Sequence, residues 1–190
     1  MAEPSKGCRK AHFVFFGDSI VGNAWNGWMA KLAALYSRTA DITNRGLNGY
    51  NSTWALHALP EILPTAAPPA LFVICFGAND ALRPAPLRGR TSKASRHHVP
   101  LDEYARNLEA MIDSTSAKRV LLCTPPPTDG EAWLAFERRT KGAITDGAES
   151  TRSNAVTGSY AARAVAVANA RNVPVIDLWS AIQASRPNDW

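Results

Sequence analysis

Ser19 is the first residue of this chain whose setting suits it for chemistry. It ends the run Phe13-Val14-Phe15-Phe16-Gly17-Asp18-Ser19, in which consecutive apolar residues give way to a glycine and two polar side chains. A buried strand that stops at a small-residue turn before a helix is where open α/β sheets collect functional groups, at the carboxyl ends of the strands. A serine hydroxyl presented there acts as a nucleophile once a base takes its proton. The competing reading gives Asp18 or Ser19 the simpler task of capping the next helix. Gly-Asp-Ser alone is common and does not choose between the two.

Two further strand ends carry similar turns. Arg45-Gly46-Leu47-Asn48-Gly49-Tyr50-Asn51-Ser52 follows the short run 41–44, and Gly77-Ala78-Asn79-Asp80 follows the wholly apolar run 70–76. If Ser19 attacks an acyl carbonyl, the tetrahedral oxyanion needs preorganised donors. The backbone N–H groups of Ser19 and Gly49 and the side-chain amide of Asn79 are donors of the right kind. All three follow strands that would be neighbours in a doubly wound sheet.

The elements that must hold these turns are legible in order. Residues 12–16 form the first strand. Over 23–37, Trp25, Trp28, Met29, Leu32, Leu35 and Tyr36 recur at three- and four-residue steps, which predicts one amphipathic helix with its tryptophans in the core. A second strand spans 41–44. The helix after it is capped by Asn51 or Ser52, runs to Leu59 and is ended by Pro60. Residues 70–76 read as a central parallel strand covered on both faces. Then come a basic, proline-containing loop over 81–99, a helix over 100–116 and a strand over 119–123 stopped by Thr124 and three prolines. A helix over 131–139, a polar loop over 140–153 and a long Ala/Val-rich helix capped by Asn154 follow. A fifth strand at 173–177 leads, with Asp177 as cap, into a helical turn at 178–184. Trp25, Trp54 and Tyr50 are suited either to line an apolar pocket or to pack helices. Strands alternate with helices and nothing repeats, so the fold class is α/β, a single domain on a parallel sheet.

The chain has 190 residues, 46% of them hydrophobic, which suits one domain with a full core. Residues 1–11 read as a polar leader and 12–190 as the domain. The net charge of +5 is partly local, with Arg83, Arg88, Arg90, Lys93 and Arg96 in one loop. That loop would attract phosphates in a salt-dependent way. It interleaves no aromatic residue for base stacking, so a solvated insertion is expected and no specific nucleic-acid partner. The three cysteines have neither zinc spacing nor a disulfide framework. They read as two buried thiols, Cys75 and Cys123, and a third in the leader, Cys8, as suits a reducing compartment. No stretch approaches a membrane span, and the apolar run after the leader is too short for a signal-peptide core. A cytoplasmic protein is expected.

The three blocks, taken together, resemble those of the GDSL, or SGNH, hydrolase family. Phe16-Gly17-Asp18-Ser19 is similar to its first block, Asn44-Arg45-Gly46-Leu47-Asn48-Gly49-Tyr50-Asn51 to its second and Gly77-Ala78-Asn79-Asp80 to its third. The closer resemblance is to the isoamyl acetate-hydrolysing esterase group. This chain shares with it His98-Val99-Pro100-Leu101-Asp102-Glu103-Tyr104, Thr124-Pro125-Pro126-Pro127 and Asp177-Leu178-Trp179. The resemblance implies a flavodoxin-like domain, five parallel strands with helices on both faces. It implies hydrolysis of small or short-chain carboxylic esters through an acyl-Ser19 intermediate. Gly49 and Asn79 would form the oxyanion hole, with Gly17, Asp18, Gly77 and Asp80 supporting, and with neither cofactor nor metal.

One block of the family pattern is missing from the sequence. The fifth block, Asp-x-x-His, follows the last strand and supplies the base and its orienting carboxylate. None follows Asp177, so a truncated C-terminal helix and impaired catalysis are expected. Losing general-base assistance costs about 10²–10⁴ in rate. His98 matches a histidine of the esterase group and reads as structural or substrate-side, and His97 lies beside it on the basic loop. His12 and His57 lie away from the strand end that carries Ser19. None of the four is expected to replace the base. An uncovered sheet face predicts lower stability than a full-length relative, and self-association or a partner there. The alternative function is a catalytically silent member that binds through the same pocket or the exposed face.

Overall fold

The apolar run around Phe15 forms the strand β1 (Ala11–Gly17), with Val14, Phe15 and Phe16 buried. A computed structural model of the chain describes residues 10–63, 67–83, 96–141 and 149–185. In it β1 pairs in parallel with β2 (Ala40–Gly46) on one side and β3 (Leu71–Cys75) on the other. Beyond β3 lie β4 (Val120–Cys123) and the two-residue β5 (Val175–Ile176), giving the order β2-β1-β3-β4-β5. Strand order reverses at β1, so its carboxyl end and that of β3 open a crevice. Gly17 stands opposite both Gly46 and Cys75 in the sheet, so the three turns leave it at one level.

Successive strand residues point to opposite faces, and both faces are packed. Phe16, Phe72, Ile74 and Leu122 lie on one face. They pack there with Leu59 of α3 (Ser52–Ile62), Tyr104, Leu108 and Met111 of α4 (Leu101–Ser114), and Tyr160 and Val167 of α6 (Asn154–Ala170). Phe15, Val73 and Cys75 meet Val21, Ala24 and Met29 on the other. These come from α1 (Ser19–Gly22), a 3-10 turn (Ala24–Asn26) and α2 (Trp28–Leu35). The helices α5 (Gly130–Lys141) and α7 (Leu178–Ser185) complete the described set. The arrangement is the flavodoxin-like α/β sheet that the sequence predicts. No helix among the described residues is long and apolar enough to cross a membrane.

Several local expectations are corrected. The helix expected over 23–37 is broken, because Gly27 is extended at φ −161°, ψ −111°. Its apolar stripe therefore does not run along one axis. Met29 is fully buried, whereas Trp25 and Trp28 are 46% and 43% exposed rather than in the core. Pro60 does not end α3. It sits in the last turn, where its missing N–H removes one bond, and Leu63 N–H still reaches the Leu59 carbonyl at 3.0 Å. Ser153, not Asn154, caps α6, accepting from Val156 N–H. β5 is shorter than predicted, and ahead of it only the Pro174 carbonyl joins the ladder, accepting from Leu122 N–H at 3.0 Å. Asp177 does cap α7, accepting from Ser180 N–H at 3.1 Å. Cys75 is buried, whereas Cys123 is only half-buried. Most of the polar leader with Cys8, the basic positions Arg88, Arg90 and Lys93, and the last residues, 186–190, lie outside the described residues.

Candidate active site

Asp18 and Ser19 divide the two tasks that the sequence left open between them. Asp18 is the helix cap, its Oδ1 accepting from Ile20 N–H at 2.9 Å. Ser19, the first residue of α1, is thereby released to line a cleft. Its backbone N–H belongs to the first helical turn, where donors have no intrahelical acceptor. Gly17 makes the turn possible by lacking a side chain. A Cβ there would stand 2.4 Å from Val21 Cγ2 and 2.6 Å from the Cys75 carbonyl oxygen.

The cleft has a volume of about 480 Å³. Ser19, Ile20, Ala78 and Asn79 form one side. The other is built from Pro126, Pro127, Thr128 and Asp129 after β4, from Ala132, Trp133 and Phe136 of α5, and from Arg152 ahead of α6. Asn79 is nearly buried and donates one amide hydrogen to the Tyr50 carbonyl at 2.8 Å. A carboxamide nitrogen carries two hydrogens, so a second remains for a ligand. That bond also ties the β3 turn to the loop holding Gly49, whose φ of +82° is in the range glycine tolerates. A second tie, Leu47 N–H to the Gly17 carbonyl at 2.7 Å, pins the same loop to the end of β1. Ser19 and Asn79 thus share the cleft, and Gly49 stands on the adjoining loop.

The supporting residues lie behind this front. Asp80 is fully buried, its Oδ1 accepting from Ser52 N–H at 2.9 Å at the start of α3. Its backbone carbonyl accepts from Val99 N–H at 3.2 Å and lies 3.1 Å from His98 Nδ1. This contact ties the His98 ring to the turn that carries Asn79. Asn51 caps α3 and donates to the His97 carbonyl at 2.9 Å. His97 is not on an exposed loop: it is 6% exposed and its ring meets Trp54 edge-on at 4.9 Å. Trp54 in turn meets Tyr50, so these rings pack elements together rather than line the cleft. His12 bonds Thr43 Oγ1 at 2.9 Å, early in β1, and His57 lies on α3. Among the described residues, no histidine lines the cleft.

Burial shifts the acids of the site. It pushes Asp18 up to about 6, against the Ile20 N–H and the positive charge of Arg152, which pull it down. It pushes Asp80 up to about 7, against hydrogen bonds from Ser52, and Asp80 Oδ2 has no partner among the described residues. Gly77 holds the Asn79 turn at a φ of +127°, and a Cβ there would lie 2.9 Å from Pro125 Cγ and from Tyr104 Oη. Gly77→Ala is expected to cost at least about 2 kcal/mol, from backbone strain and overpacking. A urea unfolding midpoint unchanged from wild type would contradict this.

Sequence reasoning missed the far wall. Arg152 closes a stretch read only as a polar loop, and Trp133 sits in a helix read without a role. The available signal was the proline run after β4, which turns the chain across the strand ends.

Known proteins can be set beside this geometry. Residues 15–190 match the GDSL-like Lipase/Acylhydrolase family. A GDSL esterase/lipase of Arabidopsis thaliana is 38% identical over 95% of this chain and 74% of its own length. An isoamyl acetate-hydrolyzing esterase 1 homolog of Mus musculus is 36% identical over 90% of this chain and 67% of its own. The crystal structure of a lipase/acylhydrolase from Enterococcus faecalis superposes with a TM-score of 0.68 at 25% identity, covering 94% of this chain and 82% of that one.

Proposed function

Because this chain belongs to the GDSL-like lipase/acylhydrolase family and is an SGNH-type ester hydrolase, we propose that Ser19 is its nucleophile. Ser19 Oγ attacks the carbonyl carbon of a small ester bound in the cleft. The carbonyl electron pair moves onto oxygen, and the oxyanion is held by the N–H groups of Ser19 and Gly49 and the second amide hydrogen of Asn79. The Ser19 hydroxyl proton passes through solvent to the departing alkoxide, so collapse expels the alcohol and leaves acyl-Ser19, which water then hydrolyses to the acid and free Ser19. The observation that supports this best is that Ser19 and Asn79 line one cleft while Asn79 is bonded to the loop of Gly49.

A cleft of about 480 Å³ is of small-ligand size. Pro126, Pro127, Trp133 and Phe136 give it an apolar wall, which suits short acyl and alcohol groups such as those in the mouse relative's name. No histidine lines the cleft among the described residues, and a site without general-base assistance would be about 10²–10⁴ slower than a base-assisted one. The oxyanion donors supply what rate remains. The same observation favours the second reading, a silent member that binds esters without cleaving them. The half-buried Leu71, Leu121 and Cys123 on the second sheet face are where self-association would occur, and their exposure predicts a lower melting temperature than that of a relative with this face covered. The free thiols Cys75 and Cys123 accord with a cytoplasmic location.

A fluorophosphonate probe followed by peptide mass spectrometry tests the assignment. Slow labelling confined to Ser19, absent in Ser19→Ala, is expected. An unlabelled Ser19 after prolonged exposure would favour the silent reading.

A further inference from the structure

The cleft holds a cation that nothing in the reaction above uses. The Arg152 backbone is fixed by its N–H to Ser150 Oγ at 3.2 Å, one residue before the cap of α6. Its Nη1 donates to the Ala78 carbonyl at 2.7 Å, and its guanidinium lies over the Trp133 ring at 4.5 Å. Its Nε is buried with no partner among the described residues. The ion pairs found among the described residues engage Lys10, Arg83, Arg163 and Arg171, not Arg152. A guanidinium has five N–H donors in a fixed fork, and Ala78 takes one. The remaining Nη hydrogens have no acceptor among the described residues, in a side chain that lines the same cleft as Ser19 and Asn79. The side chain is only half-buried, so these Nη hydrogens are open to a ligand in the cleft, and an acceptor there would form a charge-assisted hydrogen bond.

The surrounding charges say which kind of acceptor. Asp18 and Glu137 are near enough to favour the charged guanidinium. Asp129 lines the cleft as well. An anionic ligand would be repelled by Asp129 in the cleft and by the buried Asp18 and Glu137 behind it, whereas a neutral oxygen would not. We propose that Arg152 is a substrate-recognition residue that selects esters carrying a second, neutral oxygen acceptor, such as a ketone, ether or hydroxyl oxygen, a few atoms from the scissile carbonyl. The guanidinium donates to that oxygen through Nη while the Trp133 face and the Ala78 carbonyl hold it in place. This deepens the reading of the cleft as an ester site, since Ser19 and Asn79 mark where the scissile group sits.

The test is binding rather than turnover. Ser19→Ala protein is titrated calorimetrically with ethyl pentanoate, ethyl 4-oxopentanoate and monoethyl succinate, three esters of matched length with an apolar, a neutral-acceptor and an anionic tail. The keto ester should bind at least about tenfold more tightly than ethyl pentanoate, the size of a hydrogen bond to a charged group. Monoethyl succinate should bind no more tightly than the keto ester. Arg152→Met in the same background should abolish the preference. Arg152→Lys keeps the charge without the fork and should lose most of it, which covers the case in which the Met variant does not fold. Equal binding of all three esters, binding of none, a preference for the succinate, or a preference that survives both substitutions would overturn the proposal. Ser19→Ala cannot form an acyl-enzyme, so the result is independent of whether Ser19 reacts. A wild-type chain with the preference and no hydrolysis would refute the nucleophile alone.

Discussion

Asn79→Ala is expected to lower kcat for a short ester by about 10²–10³, the usual loss when one oxyanion donor is removed. The effect should fall on kcat with KM little changed, because the negative oxygen exists only in the transition state. Asn79 also holds the Tyr50 carbonyl at 2.8 Å. Asn79→Asp keeps the shape of the side chain but loses both donations, to the Tyr50 carbonyl and to the oxyanion, so it should be as slow as the alanine variant. Steady-state kinetics on the residual activity, with circular dichroism to confirm the fold, gives the answer. A loss below about threefold in both variants would remove Asn79 from the oxyanion site.

The second large effect is on stability against pH. Asp18 and Asp80 are both buried, with pKa raised from 3.8 to about 6 and about 7. The folded protein therefore binds these protons more tightly than the unfolded chain does. The stability they confer is fully present below pH about 4 and is lost as pH rises through 6 and 7. Each tenfold gain in proton affinity is worth about 1.4 kcal/mol, so the loss is on the order of 3 kcal/mol for Asp18 and 4 kcal/mol for Asp80. Asp80 shows the cause most plainly: Ser52 N–H satisfies Oδ1, whereas Oδ2 faces no donor among the described residues. Asp80→Asn keeps the acceptor for Ser52 and removes the charge. Its urea unfolding curve should change less between pH 5 and pH 8 than wild type, and at pH 8 it should be the more stable protein. A wild type whose stability rises over that interval would contradict the account.

Much of this site could be read before the fold was known, for a physical reason. The runs 13–16 and 70–76 are so continuously apolar that only buried strands fit them. The polar residues that end such runs must emerge at the edge of the sheet, which is why Ser19 and Asn79 were found from their positions alone. Gly49 came from its place in a Gly/Asn loop, and its positive φ is the backbone counterpart of that composition. The break in the first helical region escaped notice because three- and four-residue spacing continues through Gly27 although the helix does not. The spacing therefore places Trp25 and Trp28 in a core that Met29 enters fully and Leu32 in part. Arg152 and Trp133 escaped for a different reason. Nothing local marks them, and only the strand order, which brings the segments after β4 and before α6 across the end of β1, sets them opposite Ser19. The burial of Asp80 was not legible locally, because it follows from α3 and α4 packing over it, a contact far from it in sequence. Ser52 and Asn107, bonded at 2.9 Å, are part of that cover.

The most direct measurement is hydrolysis of p-nitrophenyl acetate by the 190-residue chain beside its Ser19→Ala variant. The account predicts that wild type exceeds the variant by at least about tenfold, because only Ser19 Oγ can take the acyl group, whereas the oxyanion donors remain in both proteins. Acetylated Ser19 should be detectable in wild type after the reaction. Equal rates in the two proteins, with no acetyl group on Ser19, would contradict it.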